Sequence, residues 1–369
     1  QTVTITDNSR VESTIIPEIV VFTDGSGSPV STATAVVALV PPTDAPQVEK
    51  AMKRDDTILA TADDEASVRA NATMDKLVDV SALDASISLD LQHDGSRFGD
   101  SGQLSPRASG GGLFGVAYAP YNADGSCKSA NQVMADFGVL GKAYGMVRVY
   151  GVDCNQIPAI YAAAKVNELR VMYGIFSLDN LGDQIATLTS GINSDWSNVD
   201  TVSIGNELVN NGQASPQQIL DALTAGRQIL ASAGWTGPVV TVDTFVAALA
   251  HPELCSASDY CAVNIHPFFD PNTSPSSAGT FVLNMVQALR TKLGDPSARV
   301  RVTESGWPWQ GSANAQAVPG VDQQAVAVSS IQKAFAANPE DMVLFSAFND
   351  RWKTAAEATF FAEQFWGMG

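Results

Sequence analysis

Thr-Val-Ser-Ile-Gly-Asn-Glu, residues 201–207, reads as a buried β-strand that ends in a carboxylate. Arg-Val-Thr-Glu-Ser-Gly-Trp-Pro, residues 301–308, reads the same way further along. Working outward from these two, six more β-branched or aromatic runs occupy 113–121, 146–153, 170–176, 238–245, 260–269 and 342–350. Helical patterns lie between them, among them 155–166, 215–233, 278–293 and 323–337, and a last amphipathic stretch follows at 355–366. Strand and helix therefore alternate eight times, the signature of parallel βα units. Eight units in 369 − 109 = 260 residues predict an α/β fold, a closed (β/α)₈ TIM barrel, which removes the edges that an open sheet would expose.

Residues 1–109 have a different character. They hold two of the chain's 28 aromatic residues, Phe22 and Phe98, and carry 17 acidic against 8 basic residues, too little apolar material for a large core. The stretch 99–112 is a Gly/Ser linker by composition. The expected organisation is a low-complexity acidic N-terminal extension over 1–109, serving as leader, stalk or pro-segment, and a catalytic domain over 110–369. Two features qualify the extension: β-branched runs within 11–40 can form a hairpin or an added strand, and Lys53-Arg54 has the form of a dibasic processing site. The formal net charge of −18 excludes a nucleic-acid surface built on bulk positive charge and disfavours adhesion to an anionic membrane. No run approaches the roughly 18 uninterrupted apolar residues of a membrane span.

In a barrel of this kind the reacting groups sit at the C-terminal ends of the strands, and strands four and seven both end in glutamate. These strands lie nearly opposite each other, so Glu207 and Glu304 converge across the mouth. Glycoside cleavage needs one protonated carboxyl to protonate the leaving oxygen and one ionised carboxylate on the far side of the anomeric carbon. For a retaining reaction the pair stands about 5 Å apart. Arg148, in strand two, is the expected interior cation, with Glu304 as the carboxylate it keeps ionised. Strand-four alternation sends Val202 and Ile204 toward the helices and Ser203, Gly205 and Glu207 toward the axis. In strand seven Val300, Val302 and Glu304 share parity, so a bulge or a late twist must turn Glu304 inward. Tyr118, Tyr150, Trp307, Trp309 and Trp352 fall at strand ends or just beyond, where flat rings can stack on sugars, although each could equally serve the core.

Six motifs occur in order: Gly115-Val-Ala-Tyr118, Val147-Arg-Val-Tyr-Gly151, Ile204-Gly-Asn-Glu207, Val263-Asn-Ile-His-Pro-Phe268, Thr303-Glu-Ser-Gly-Trp-Pro308 and Phe345-Ser-Ala-Phe-Asn-Asp-Arg-Trp-Lys353. Together they resemble glycoside hydrolase family 17, and within it the fungal cell-wall β-1,3-glucanases and glucanosyltransferases. The resemblance does not reach residues 1–109. It implies Glu207 as general acid/base, Glu304 as nucleophile of a retaining mechanism, and Asn206 as partner of the sugar 2-hydroxyl. His266 stands where plant relatives carry Tyr and is expected to hydrogen-bond the nucleophile. Asn349-Asp350 replaces the usual Asp-Glu or Asp-Asp pair, leaving Asp350 as the accessory acid. Arg148, Tyr118, Tyr150 and Trp307 complete the expected substrate site, with β-1,3-glucan as partner. A catalytically weak glucan-binding wall protein on the same barrel is the alternative.

The four cysteines, Cys127, Cys154, Cys255 and Cys261, all lie beyond residue 126. Placement at the tops of neighbouring strands predicts Cys127–Cys154, and closeness in sequence at the bottom of strand six predicts Cys255–Cys261, among three connectivities. A start at Gln1 without Met or an apolar leader fits a secretion signal already removed, and Asn71 and Asn272 open glycan sequons in an extracellular or cell-wall setting. Two carboxyls suffice for the chemistry, so no metal or cofactor is expected. A monomer is the expected state.

Overall fold

The computed structural model describes residues 14–23, 29–39 and 113–368. Near the N-terminus, strands β1 (Thr14–Thr23) and β2 (Pro29–Leu39) form a two-stranded antiparallel sheet in which Thr14 pairs with Leu39 and Ile19 with Thr34. The β-branched runs favour this extended pairing. The linker at 99–112, Lys53-Arg54 and Asn71 lie outside the described residues.

From residue 115 the chain alternates strictly between strand and helix. Strands β3 (Gly115–Ala117), β4 (Met146–Arg148), β5 (Arg170–Ile175), β6 (Val199–Asn206), β7 (Val239–Thr244), β8 (Cys261–Asn264), β9 (Val300–Gly306) and β10 (Met342–Phe345) close a parallel barrel, β10 pairing with both β9 and β3. Sequence strands four and seven are thus β6 and β9. Several strands are shorter than their β-prone runs because the ladder loosens toward the mouth. Beyond β3 and β4 single bonds continue it, from Tyr118 N–H to the Arg148 carbonyl and from Val149 N–H to that of Met172, both 2.9 Å.

The surrounding helices are α1 (Ala130–Leu140), α2 (Gln156–Val166), α3 (Leu181–Gly191), α4 (Pro216–Ser232), the short α5 (Phe245–Ala250) and α6 (Glu253–Ser256), α7 (Ala278–Leu293) and α8 (Val321–Ala334). Their boundaries follow from local chemistry. Ser215 caps α4 in a reciprocal box with Gln218, Pro216 occupies its first turn, and Gly234 at φ +90° ends the run. In α7 the buried stripe Ala278, Val282, Met285, Val286 and Leu289 follows the 3.6-residue repeat and faces the sheet. At the N-terminal end of the barrel Arg301 pairs with Asp200, while the Tyr260 hydroxyl donates to Thr201 Oγ1 at 2.9 Å.

The amphipathic stretch 355–366 is not a helix. It contains a single 3₁₀ turn, Glu357–Thr359, after which Phe360 and Phe361 both adopt the left-handed conformation (φ +55° and +54°). Its apolar residues serve another purpose: Phe365 accepts from Trp309 N–H at 2.9 Å, Trp366 accepts from Ser346 N–H at 3.1 Å, and the Trp366 indole is buried behind the barrel mouth.

Candidate active site

Both carboxylate-bearing strands carry one residue too many for their neighbours. Against β7, the β6 register runs Ser203↔Val240 and then Asn206↔Val242, three residues opposing two. Gly205 absorbs the extra length at φ +79°, a conformation open to glycine and costly for residues with a Cβ. The strict alternation expected for strand four therefore fails beyond Ile204, and Asn206 turns inward to Arg148. Against β8, the β9 register runs Val263↔Val302 and then Asn264↔Glu304. Against β10 it runs Met342↔Val302 and then Leu344↔Ser305. The extra residue is thus in β9 on both sides, so a bulge, rather than a gradual twist, brings Glu304 inward. Its effect is visible in the side chains, because consecutive Thr303 and Glu304 reach the same polar cluster.

That cluster is centred on Arg148, which is 1% exposed. Its Nη1 donates to Glu304 Oε1 (2.7 Å), Asn264 Oδ1 (3.0 Å) and the Thr303 carbonyl (2.9 Å), and its Nη2 donates to Asn206 Oδ1 (2.7 Å). Tyr150 donates its hydroxyl to Glu304 Oε1 at 2.8 Å, and His266 Nε2 lies 3.0 Å from Glu304 Oε2. Asn264 links the two acids: its Nδ2 donates to Glu207 Oε1 (2.8 Å), while its Oδ1 accepts from Arg148 and from Thr303 Oγ1 (2.8 Å). Glu207 itself sits at φ +56°, an unusual conformation for glutamate, held by its N–H on the Val242 carbonyl at 2.9 Å.

The two carboxyls have opposite electrostatic surroundings. Burial opposes ionisation of Glu304, but the Arg148 guanidinium, followed by His266 and Tyr150, outweighs it and holds the pKa at about 2. Among the described residues no cation forms an ion pair with Glu207. Burial first and the Glu304 charge second push its pKa above the usual glutamate value, against a smaller opposing effect of the Asn264 hydrogen bond. One carboxyl is thus held ionised while the other is biased toward its protonated form, a difference made by environment alone.

Asp350 reaches the same mouth from the loop after β10. Burial raises its pKa despite Lys353 Nζ at 3.3 Å. A cleft beside it is bordered by Tyr121, Lys128, Tyr150, Ser346 and Asn349.

The expected aromatic platforms divide. Tyr150 is part of the Glu304 cluster, with its ring under the Arg148 guanidinium at 4.6 Å. Trp352 is 37% exposed and lies against Tyr121, and Trp309 ties its indole N–H to Asn349 Oδ1 at 2.9 Å. Trp307 is a correction: it is fully buried, donates to the Val318 carbonyl at 3.0 Å and meets Phe268 edge-on, so no face of the ring is open to a sugar. Tyr118 borders the cleft but is 2% exposed, and its hydroxyl donates to Asp136 on α1 at 2.7 Å while its ring packs on Phe137.

Sequence reasoning passed over Asn264, Thr303 and Lys353. The signal for Asn264 was present, a lone amide closing the apolar run Cys-Ala-Val. Disulfides join Cys127 to Cys154 and Cys255 to Cys261, with Cα separations of 5.6 and 4.2 Å. Asn272 is exposed in the loop after β8. Among the described residues no cluster of His, Cys, Asp and Glu could hold a metal ion, and no helix is long and apolar enough to cross a membrane.

Comparison with known proteins agrees with the barrel fold. Residues 115–367 match the BtgE/BtgC glycoside hydrolase domain. Over 259 residues, 70% of the chain, it is 43% identical to the probable family 17 glucosidase SCW4 of Saccharomyces cerevisiae. It is 42% identical over 260 residues, again 70% of the chain, to the cell surface mannoprotein MP65 of Candida albicans. The chain spans 65% and 67% of the lengths of these two relatives. In fold it resembles an active-site mutant of Rhizomucor miehei β-1,3-glucanosyltransferase solved with laminaritriose, with a TM-score of 0.59 at 21% identity over 69% of this chain and 92% of that one. A closed eight-stranded barrel with two strand-end glutamates, matched over 115–367, identifies the chain as a member of the BtgE/BtgC group of family 17 glycoside hydrolases.

Proposed function

We propose that this protein is a secreted, retaining glycoside hydrolase acting on β-1,3-glucan of the cell wall through a covalent glycosyl-enzyme, with residues 110–369 as its catalytic domain and 1–109 as an extension. The observation that carries the reading is the pair of carboxyls joined through Asn264, with Glu304 held ionised by Arg148 and Glu207 biased toward its protonated form. Glu304 attacks the anomeric carbon while Glu207 gives its proton to the departing glycosidic oxygen, and the C–O bond to the leaving sugar breaks as the ester to Glu304 forms. Glu207, now a carboxylate, takes a proton from water or from a sugar hydroxyl. The resulting oxygen nucleophile displaces Glu304 from the same face that the leaving group left, and configuration is retained.

Asn206 is suited to the sugar 2-hydroxyl, since Arg148 fixes its Oδ1 and leaves its amide donor for the ligand. Asp350 and Tyr150 border the adjoining cleft. The two disulfides and the surface naming of MP65 support secretion to the wall. Asn71 and Asn272 are glycan acceptors in that setting.

The test is the time course of product sizes and anomeric configuration from a defined linear β-1,3-gluco-oligosaccharide. Retention with products longer than the substrate indicates transfer, and retention with only shorter ones indicates hydrolysis. Inverted products, or unchanged rates for Glu304→Ala, would refute the proposal. Binding of laminarin with neither release nor transfer would favour the glucan-binding wall protein.

A further inference from the structure

Asp243, at the end of β7, is a buried carboxylate that the reaction above does not use. It is 3% exposed, and burial raises its pKa against the opposing effect of its backbone donors. All of its side-chain bonds are to backbone N–H groups: Oδ2 accepts from Val209 at 2.9 Å, and Oδ1 from Asn210 at 3.2 Å and Thr244 at 2.8 Å. Val209 and Asn210 directly follow the turn that carries Glu207. The remaining ties close on the same turn. Glu207 N–H donates to the Val242 carbonyl, Asn211 N–H donates to the Glu207 carbonyl at 3.0 Å, and Thr244 Oγ1 donates to Asn210 Oδ1 at 2.9 Å.

From this geometry we infer that Asp243 is a positioning residue for the acid/base, anchoring the left-handed turn of Glu207 to the end of β7 and setting a negative charge beside it. The inference rests on the assignment of Glu207 as acid/base. A non-glycine residue at φ +56° persists only where its surroundings hold it there, and here the hold is a carboxylate whose two oxygens take up the turn's free N–H groups. The groups that act on Asp243 electrostatically are Glu207, directly after β6, and His251 after α5. Glu207 in turn feels Glu304 and His266. With Glu304 and Asp243 both ionised, the proton on Glu207 is favoured from two sides. An asparagine at 243 would keep an acceptor for Asn210 and Thr244 but point an amide donor at the Val209 N–H, and it would remove the charge.

The test compares two substrates, a linear β-1,3-gluco-oligosaccharide whose leaving group must be protonated and the dinitrophenyl β-glycoside of laminaribiose, whose leaving group departs unaided. Asp243→Asn is expected to lose about 10-fold or more in kcat/KM on the oligosaccharide and little on the activated glycoside, in keeping with the roughly 10²–10⁴-fold worth of general acid catalysis. The alkaline limb of its kcat/KM profile on the oligosaccharide is expected to move to lower pH. Equal losses on both substrates with the alkaline limb unmoved would overturn the inference and leave Asp243 with a purely architectural part. Glu207→Gln, run alongside, separates the two layers of the argument. If it shows the substrate split and Asp243→Asn does not, only the Asp243 inference falls; if Glu207→Gln shows no split, the acid/base assignment falls and this inference with it. Should Asp243→Asn fail to fold, Asp243→Glu, which keeps the charge and displaces the acceptors by one methylene, is read on the same substrates. A smaller split in the same sense supports the inference, and none overturns it.

Discussion

Arg148 holds together more of the site than any other single side chain described above, touching Glu304, Asn264, Thr303 and Asn206. Replacing it with methionine leaves Glu304 buried and without its cation. Arg148→Met is expected to destabilise the fold by about 3–5 kcal/mol, the usual cost of stranding one member of a buried pair, measurable by urea unfolding. It is also expected to raise the acid limb of kcat/KM, since burial then acts on Glu304 with less opposition. Arg148, Glu207 and Glu304 were all legible in the sequence as charged residues within apolar strand runs. Trp307 was misread because an aromatic at a strand end can turn toward solvent or toward the layer behind, and the sequence pattern is the same in either case. Asn264 was legible only as part of a motif, since a single amide gives no sign of which groups it will bridge.

The strands and helices show where periodicity stops being informative. Regular alternation placed Val202 and Ile204 correctly against the helices, and Ile204 indeed packs toward Gly226 of α4. It could not describe β6 beyond Ile204 or β9 beyond Val302, where an added residue changes the parity. Gly205 makes a direct check of the first bulge. Gly205→Ala places a Cβ at φ +79°, 3.1 Å from Leu208 Cδ1, and is expected to cost about 1–2 kcal/mol from the left-handed backbone, read as a fall in Tm. Its kcat/KM should fall with it because Asn206 and Glu207 follow directly. The helical layer has its own close approach, Gly279 of α7 against the Ser330 carbonyl of α8. Gly279→Ala is expected to destabilise by roughly 1–3 kcal/mol, the range for overpacking, with kcat/KM unchanged at temperatures well below the transition. The stretch 355–366 had helical spacing in its apolar residues, yet those residues pack as an aromatic layer with Phe268 and Phe345, and the backbone follows that packing.

For the molecule as a whole, the pKa shifts define a pH window. The proposed mechanism needs Glu304 ionised and Glu207 protonated, so kcat/KM should rise with pH through the Glu304 pKa of about 2 and fall through the raised pKa of Glu207. Glu207→Gln should abolish the alkaline limb on an activated substrate. Stability responds to the same groups with opposite signs. Glu304 has a folded pKa below its unfolded one, so its contribution is present above the ordinary carboxylate range and lost as pH falls toward about 2. Glu207, shifted upward, favours the fold at low pH and loses that contribution as pH rises through its folded pKa. Denaturant midpoints from pH 2 to 7 for wild type and Glu304→Gln check the first: the variant should lose less stability on acidification than the wild type does. At the level of domains, a chain beginning at residue 110 is expected to keep the kcat/KM of the 369-residue chain on soluble oligosaccharides.

The order of strands and helices, the closure implied by eight repeats, the two acids and their cation are local properties. Each depends on hydrophobic period, chain length or residue type, all of which can be counted along one dimension. The inward turn of Asn206 and Glu304, the bridging part of Asn264, the burial of Trp307 and the division of pKa between two chemically identical carboxyls are of another kind. They depend on which strands become neighbours and on where one strand runs a residue longer than the next, so they come into being only when the barrel closes and distant segments share a desolvated space.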